Sequence, residues 1–313
     1  MKAKVERIAL PEGKRVICVS DIHGSLDLFR RLLDKVRYGA DDVLILLGDY
    51  LGRGRQQRET LEYVMEMSKN PNVYAIRGNW DWAEWVTDIF TASPSENDWL
   101  ERLPHVIETR GFIFVHAGLT SSDLDEQDAW SCMKNDAFAE NGLKFDKYVV
   151  TGHWPVYNYV HEAPCFNPIV DEESKIISID GGNGVDEAGQ LNAFIIDNGR
   201  FSFDYADDLP EIRVDKAQTA GKESLNITWN DRFVELVEKG DVFSVYRHMR
   251  SGKVISLPTA GSWADGEGRL CRCGTDYRLP VRAGDTVSVV ERYGGRIYAK
   301  KDGTAGWILE PGY

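Results

Sequence analysis

Short apolar runs and helix-spaced apolar residues alternate along the first third of the chain. Val16-Ile17-Cys18-Val19, Val43-Leu44-Ile45-Leu46-Leu47 and Val73-Tyr74-Ala75-Ile76 are strand-length runs with little polar interruption, as expected of strands in a largely buried sheet. Between them Leu26, Phe29, Leu32, Leu33 and Val36 recur at helical spacing, as do Leu61, Val64 and Met65, and further on Trp82, Trp85, Val86 and Ile89. Strand, helix, strand, helix is the pattern of βαβ units. After the histidine at position 105 strands become more frequent, at Phe112–Val115, Tyr148–Thr151, Ile176–Ile179, Ala193–Ile196 and Phe201–Phe203. That density predicts a second sheet packed on the first.

The texture then changes. Asp207-Asp208-Leu209-Pro210 and Gln218-Thr219-Ala220-Gly221 have the composition of turns, so residues 1–207 are expected as one domain and 208–224 as a linker. Beyond it, short strands are broken by Gly240-Asp241, Ser251-Gly252, Gly294-Gly295 and Asp302-Gly303. Residues 225–313 are therefore expected to form a small all-β domain, with strands at Val281–Val290, Arg296–Lys300 and Ala305–Leu309.

Composition adds limits. A chain of 313 residues with 42% apolar positions can fill two cores. Its 37 basic residues against 50 acidic ones leave a net charge of −13, which disfavours nucleic acid and anionic membranes as partners. Five cysteines, an odd number, are expected as reduced thiols in a cytoplasmic protein. The start, Met-Lys-Ala-Lys-Val-Glu-Arg, lacks the apolar stretch of a signal peptide, and no apolar run has membrane-spanning length.

Candidate chemistry gathers at the strand ends. Asp21-Ile22-His23-Gly24 follows the first run, Gly48-Asp49-Tyr50 the second and Gly78-Asn79 the third. Phe112–Val115 is followed by His116-Ala117-Gly118, and Tyr148–Thr151 by Gly152-His153. Open α/β sheets place their sites at such ends. Each motif alone is more often a turn or a cap, but three of the chain's six histidines fall in these Gly-flanked positions, which coincidence explains poorly. Asp21, His23, Asp49, Asn79, His116 and His153 make a mixed nitrogen and oxygen set suited to Mn²⁺, with Fe or Zn²⁺ as alternatives. Six ligands are too many for one ion with an open position. They suit two divalent ions sharing Asp49, which can clamp a phosphoryl group and generate hydroxide at neutral pH.

These blocks, together with Val115-His116-Ala117-Gly118-Leu119 and Ile179-Asp180-Gly181-Gly182-Asn183, are similar to those of calcineurin-like metallophosphoesterases. Within that superfamily they resemble bacterial serine/threonine phosphoprotein phosphatases and diadenosine tetraphosphate hydrolases. The resemblance covers about residues 14–205. It implies an α/β fold, a two-sheet metallophosphoesterase sandwich flanked by helices, with a dinuclear metal site acting on a phosphorylated protein or a nucleotide. It also implies that Asp49, Arg53 and Asn79 serve catalysis and that Arg53 grips phosphate oxygens. The family pattern Gly-Asp-x-x-Asp-Arg-Gly has Gly52 here at its second Asp, and Gly-Asn-His-Glu has become Gly78-Asn79-Trp80-Asp81. In the family that His protonates the leaving group and that Asp orients it. Losing both suggests replacement of one unit. Trp80 packs against neighbours or stacks on an aryl or nucleobase group. Lys134, shortly after Trp130, stands where relatives often carry a phosphate-binding Arg, although a point charge does not copy a guanidinium.

Three expectations follow from the resemblance and its gaps: a phosphoesterase lacking its usual acid, a nucleotide hydrolase or phosphodiesterase of the diadenosine tetraphosphatase type, and a catalytically impaired binding protein. The chain's ending, Lys301-Asp302-Gly303-Thr304-Ala305-Gly306-Trp307-Ile308, resembles the closing hairpin of a bacterial SH3-like barrel, which implies a small all-β barrel and a peptide partner. Cys271-Arg272-Cys273 is too isolated to predict a metal. His105 and His248 are expected to be structural.

Overall fold

The structure is a computed structural model and describes residues 1–82, 92–259, 262–264, 269–271 and 274–310. Trp85, Val86 and Ile89 of the anticipated helix, and Cys273, lie outside these residues. The chain divides into two compact units. One comprises residues 1–156 and 167–207, the other 157–166 and 208–313.

The first unit contains two sheets. In one, Val16–Val19, Val43–Leu46 and Val73–Ala75 run parallel side by side, Leu191–Asp197 pairs antiparallel with Val16–Val19, and Arg200–Ala206 pairs antiparallel with Leu191–Asp197 at the edge. The other has six strands in the order Val5–Arg7, Val106–Glu108, Phe112–Val115, Tyr148–Thr151, Ile176–Ser178, Ile169–Asp171. The apolar runs are uninterrupted because both faces are covered. Ile17 and Val19 point into a core with Phe29, Leu32, Leu61 and Val64 of the helices Leu26–Lys35 and Gln57–Met67. Their neighbours Val16 and Cys18 point the other way, into a core with Phe114, Val150 and Ile177 of the second sheet. A period of two on each strand thus separates a helix-facing layer from an inter-sheet layer.

Two differences from expectation come from strand pairing between residues distant in the chain. The strands at 191–197 and 200–206 close the first sheet rather than the second. Pairing of Ala193 with Val19 and Phe194 with Cys18 puts Phe194 in the inter-sheet core. Residues 208–224 are not a plain linker, since Glu211–Arg213 pairs with Thr286–Ser288. The side chain of Gln218 donates to the carbonyls of Leu279 and Trp307. The alternation Glu211-Ile212-Arg213-Val214, with Val214 buried, is the strand signal there.

The C-terminal region is β-rich. It contains a four-stranded sheet of Glu211–Arg213, Thr286–Tyr293, Arg296–Lys301 and Thr304–Leu309, a five-stranded sheet and a two-stranded ladder. Its buried apolar residues form two clusters, around Ile297 and Ile308 and around Tyr246 and Leu257. Segment 157–166 joins this unit through backbone bonds from Phe166 N to Gly303 O (2.8 Å), Ala305 N to Pro164 O (2.9 Å) and Asn226 N to His161 O (2.9 Å). Among the described residues no helix is long and apolar enough to cross a membrane.

Candidate metal centre

The two sheets of the first unit deliver their ligand-bearing loops to one place. Asp21, His23 and Asp49 offer ligand atoms within 4.8 Å of one another, and so do Asp49, His116 and His153. Asp49 belongs to both groups. Its Oδ2 lies 3.9 Å from His23 Nε2, and its Oδ1 lies 3.4 Å from His116 Nε2. Asp21 Oδ1 is 3.7 Å from His23 Nε2, and Asn79 Oδ1 is 3.1 Å from His116 Nε2. All six expected ligands therefore belong to one neighbourhood, and Asp21, His23, Asp49, Asn79 and His116 are each at most 3% exposed.

Local backbone geometry makes this convergence. Asp21, His23, Asp49 and His153 have φ of 56°, 51°, 55° and 65°, in the left-handed region that L-residues rarely occupy. Four of the ten such non-glycine residues in the described chain are candidate ligands, a concentration of strain typical of functional turns. Gly78 is needed for space, because a Cβ there would lie 2.2 Å from Asp49 Oδ1.

Surrounding groups fix each ligand. His23 Nδ1 is 2.8 Å from Leu51 O and His116 Nδ1 is 2.7 Å from Leu47 O. A carbonyl only accepts, so Nδ1 carries the proton and Nε2 faces the cluster. His153 is held from the opposite ring atom, with Nε2 2.9 Å from Asp136 Oδ1. The Trp80 N–H donates to Asp49 Oδ1 at 2.8 Å, and the His153 N–H to Asp21 Oδ2 at 3.0 Å.

The electrostatics call for positive charge. Burial works against ionised Asp49, but the imidazoles of His116, His23 and His153 more than offset it and hold the carboxyl at about 2. Burial also opposes protonated His116, yet Asp49, Asp21 and the Leu47 carbonyl push it up to about 10. His116 Nε2 and Asn79 Oδ1 face each other at 3.1 Å, a separation that a proton or a shared cation bridges. The hydroxyl of Ser20, next to Asp21, is buried without a hydrogen-bond partner. Buried carboxylates, imidazole nitrogens and an amide oxygen gathered in one cluster are the donors a divalent transition metal takes, so the residues present fit such ions.

Four further residues support the candidate ligands. Asp81 is fully buried and accepts from the N–H groups of Asp49 (2.7 Å), Gly78 (3.0 Å) and Tyr50 (3.0 Å), tying two ligand loops together. Burial and the neighbouring Asp49 raise its pKa to about 7. Asp180 is buried, and burial together with Asp21 raises it well above the carboxylate range. Asn183 donates to the carbonyls of Asp21 (3.2 Å) and Ile22 (3.0 Å). Asp136 is the partner of His153. The motif around 179–183 was visible, but its contacts with residues 21 and 22 were not.

The expected substrate-binding residues are less uniform. Arg53 is exposed, with its guanidinium carbon 5.2 Å from the centroid of the Trp80 ring. Lys134 is ion-paired with Asp136, and its Nζ is 3.3 Å from His153 Nε2, so a carboxylate already occupies the charge expected to meet phosphate. His105 accepts from Lys4 N at 2.9 Å, and His248 bonds Ser251 Oγ and Asp231 O. Both are structural, as expected.

Comparison with known proteins adds a lineage. The sequence profile of the calcineurin-like phosphoesterase family matches residues 14–181. The bis(5'-nucleosyl)-tetraphosphatase (symmetrical) of Pasteurella multocida is 31% identical over 149 residues, 42% of this chain and 52% of that protein. That of Haemophilus ducreyi is 32% identical over 149 residues, 42% of this chain and 53% of the relative. The match thus spans about half the length of these curated relatives. A crystal structure provisionally named as a diadenosine tetraphosphatase superposes with a TM-score of 0.52 at 19% identity, covering 66% of this chain and 99% of its own. That likeness is one of fold.

Proposed function

Because this chain belongs to the calcineurin-like phosphoesterase family, we propose that it is a phosphoesterase using two divalent ions, Mn²⁺ in the first instance, on substrates with weakly basic leaving groups. The observation that carries the reading is Asp49, which presents one carboxylate oxygen to each of two ligand groups. Asp21, His23 and Asp49 would hold one ion, and Asp49, Asn79, His116 and His153 the other. Such ions supply Lewis acidity toward a phosphoryl oxygen and lower the pKa of a water molecule. Arg53 donates to the non-bridging phosphate oxygens. The leaving group departs toward Trp80, whose indole has one N–H and no acid function. An alkoxide leaving group such as serine therefore loses the benefit of general acid catalysis, worth about 10²–10⁴-fold. Phosphoanhydrides and aryl esters need that help less.

Nucleoside polyphosphates are the substrate class we favour, which agrees with the names of the curated relatives. The test is hydrolysis in Mn²⁺ of aryl phosphates of graded leaving-group pKa, a phosphoserine peptide and a dinucleoside tetraphosphate, with Asp49→Asn as control. We expect rates that fall steeply with leaving-group basicity, about 10²-fold or more below the best substrates for the peptide, and turnover lost in the control. Equal turnover of peptide and aryl esters would refute the missing acid. Metal binding with phosphopeptide capture but no turnover would establish the binding-protein reading instead.

A further inference from the structure

Trp80 and Gly52 are in contact, and that contact explains why both positions differ from the family pattern together. A Cβ on Gly52 would lie 3.1 Å from Trp80 Cδ2 and 2.9 Å from His23 Nδ1. The backbone there has φ +128°, so a side chain at position 52 is excluded by conformation as well as by space. The indole meets His23 edge-on, with ring centroids 6.2 Å apart at 89°. Its main chain is anchored through the N–H bond to Asp49. An indole fixed in this way is a rigid wall beside the ligand cluster.

Arg53 follows Gly52 directly and lies against that wall. Its guanidinium carbon is within cation–π range of the Trp80 ring. Its stem also passes Gly184, where a Cβ would sit 3.1 Å from Arg53 Cβ. An exposed arginine otherwise samples many rotamers. Here two contacts restrict it, and Trp is the aromatic residue that holds a guanidinium best.

We propose that Trp80 and Gly52 form one unit that holds the Arg53 guanidinium beside the His23 side of the cluster, which makes Trp80 a positioning residue for anion recognition. The ring is then committed to Arg53 and His23, and is not a platform for a substrate base. The inference rests on the reading of Arg53 as the group that meets phosphate oxygens. It predicts that the arginine and the tryptophan act as one in binding a phosphate.

The experiment is calorimetric binding of inorganic phosphate to the Mn²⁺-loaded full chain, for wild type, Trp80→Ala, Trp80→Phe, Arg53→Ala and the double variant Trp80→Ala/Arg53→Ala. A parallel Mn²⁺ titration confirms that each variant keeps its metal. Trp80→Ala should weaken phosphate binding by roughly fivefold to tenfold, Trp80→Phe by less, and the double variant should be no weaker than Arg53→Ala alone. In steady-state assays Trp80→Ala should raise KM more than it lowers kcat. Additive losses in the double variant, unchanged phosphate affinity in Trp80→Ala, or a wild type that binds no phosphate would each overturn the proposal. Because phosphate binding is read without turnover, a chain that holds phosphate but hydrolyses nothing would defeat the proposed function and leave this inference standing.

Discussion

Asp49 shows how much depends on individual atoms, because each of its two oxygens faces a different ligand group. Its type and place were visible in the sequence, as were those of the other five candidate ligands, since each follows an apolar run and lies within three residues of a glycine. The residues that hold them were not visible. Asp136 is 17 residues from His153, and nothing in the local pattern around it marks a bond to an imidazole. Its charge is firmly held: the bond to His153 outweighs burial and, with Lys134, brings the carboxyl down to about 2. Outer carboxylates of this kind fix the orientation of a metal-binding histidine. Asp136→Ala should therefore weaken Mn²⁺ binding by about 10–100-fold. Asp136→Asn, which keeps an acceptor, should weaken it less. Calorimetric titration measures both, and equal affinities in all three proteins would remove Asp136 from the centre.

Elements were more legible than their partners. The strands at 16–19, 43–46, 73–75, 112–115 and 148–151 lie where apolar runs predicted them, because burial on both faces leaves an unbroken signature. Short edge strands such as Val5–Arg7 escaped, being three residues long and mostly exposed. That edge is held by His105, which precedes the strand Val106–Glu108. Its Nδ1 accepts from Lys4 N and its own N–H donates to Lys4 O. Burial, with help from Arg77 and Lys4, lowers its pKa to about 4, against an ordinary value of about 6.5. The unfolded chain therefore takes up a proton at His105 below about pH 6.5, while the folded chain resists until about pH 4. Its contribution favours folding above that window and is lost as pH falls through it. His105→Asn retains an acceptor for Lys4 and cannot titrate, so its urea midpoint should drop less than that of wild type between pH 7 and pH 5. Parallel drops would mean that His105 is protonated in the native state.

At the scale of the whole molecule, sequence continuity and spatial membership part company. Residues 157–166 begin four residues after His153, yet they belong to the C-terminal unit. Asn226 is 3% exposed and binds them, donating through Nδ2 to Tyr157 O (2.9 Å) and Val160 O (2.6 Å). Asn226→Ala leaves those carbonyls without that donor and should cost about 1–3 kcal/mol. Faster proteolysis within 157–166 and a lower thermal midpoint would show it; an unchanged cleavage pattern would mean that the segment is held elsewhere. The sequence by itself determined the central strands, the two principal helices, the candidate ligand types and the replacement of His and Asp by Trp80 and Gly52. These are legible because burial period, turn glycines and ligand chemistry are local properties. Only the tertiary structure decided which sheet received residues 191–206, that 211–213 pairs with 286–288, that Asp81 and Asn183 brace the ligand loops, and that the indole of Trp80 fills the space above Gly52. Each of those is set by packing between residues distant in the chain, where excluded volume and hydrogen-bond geometry select among arrangements that the local sequence permits equally.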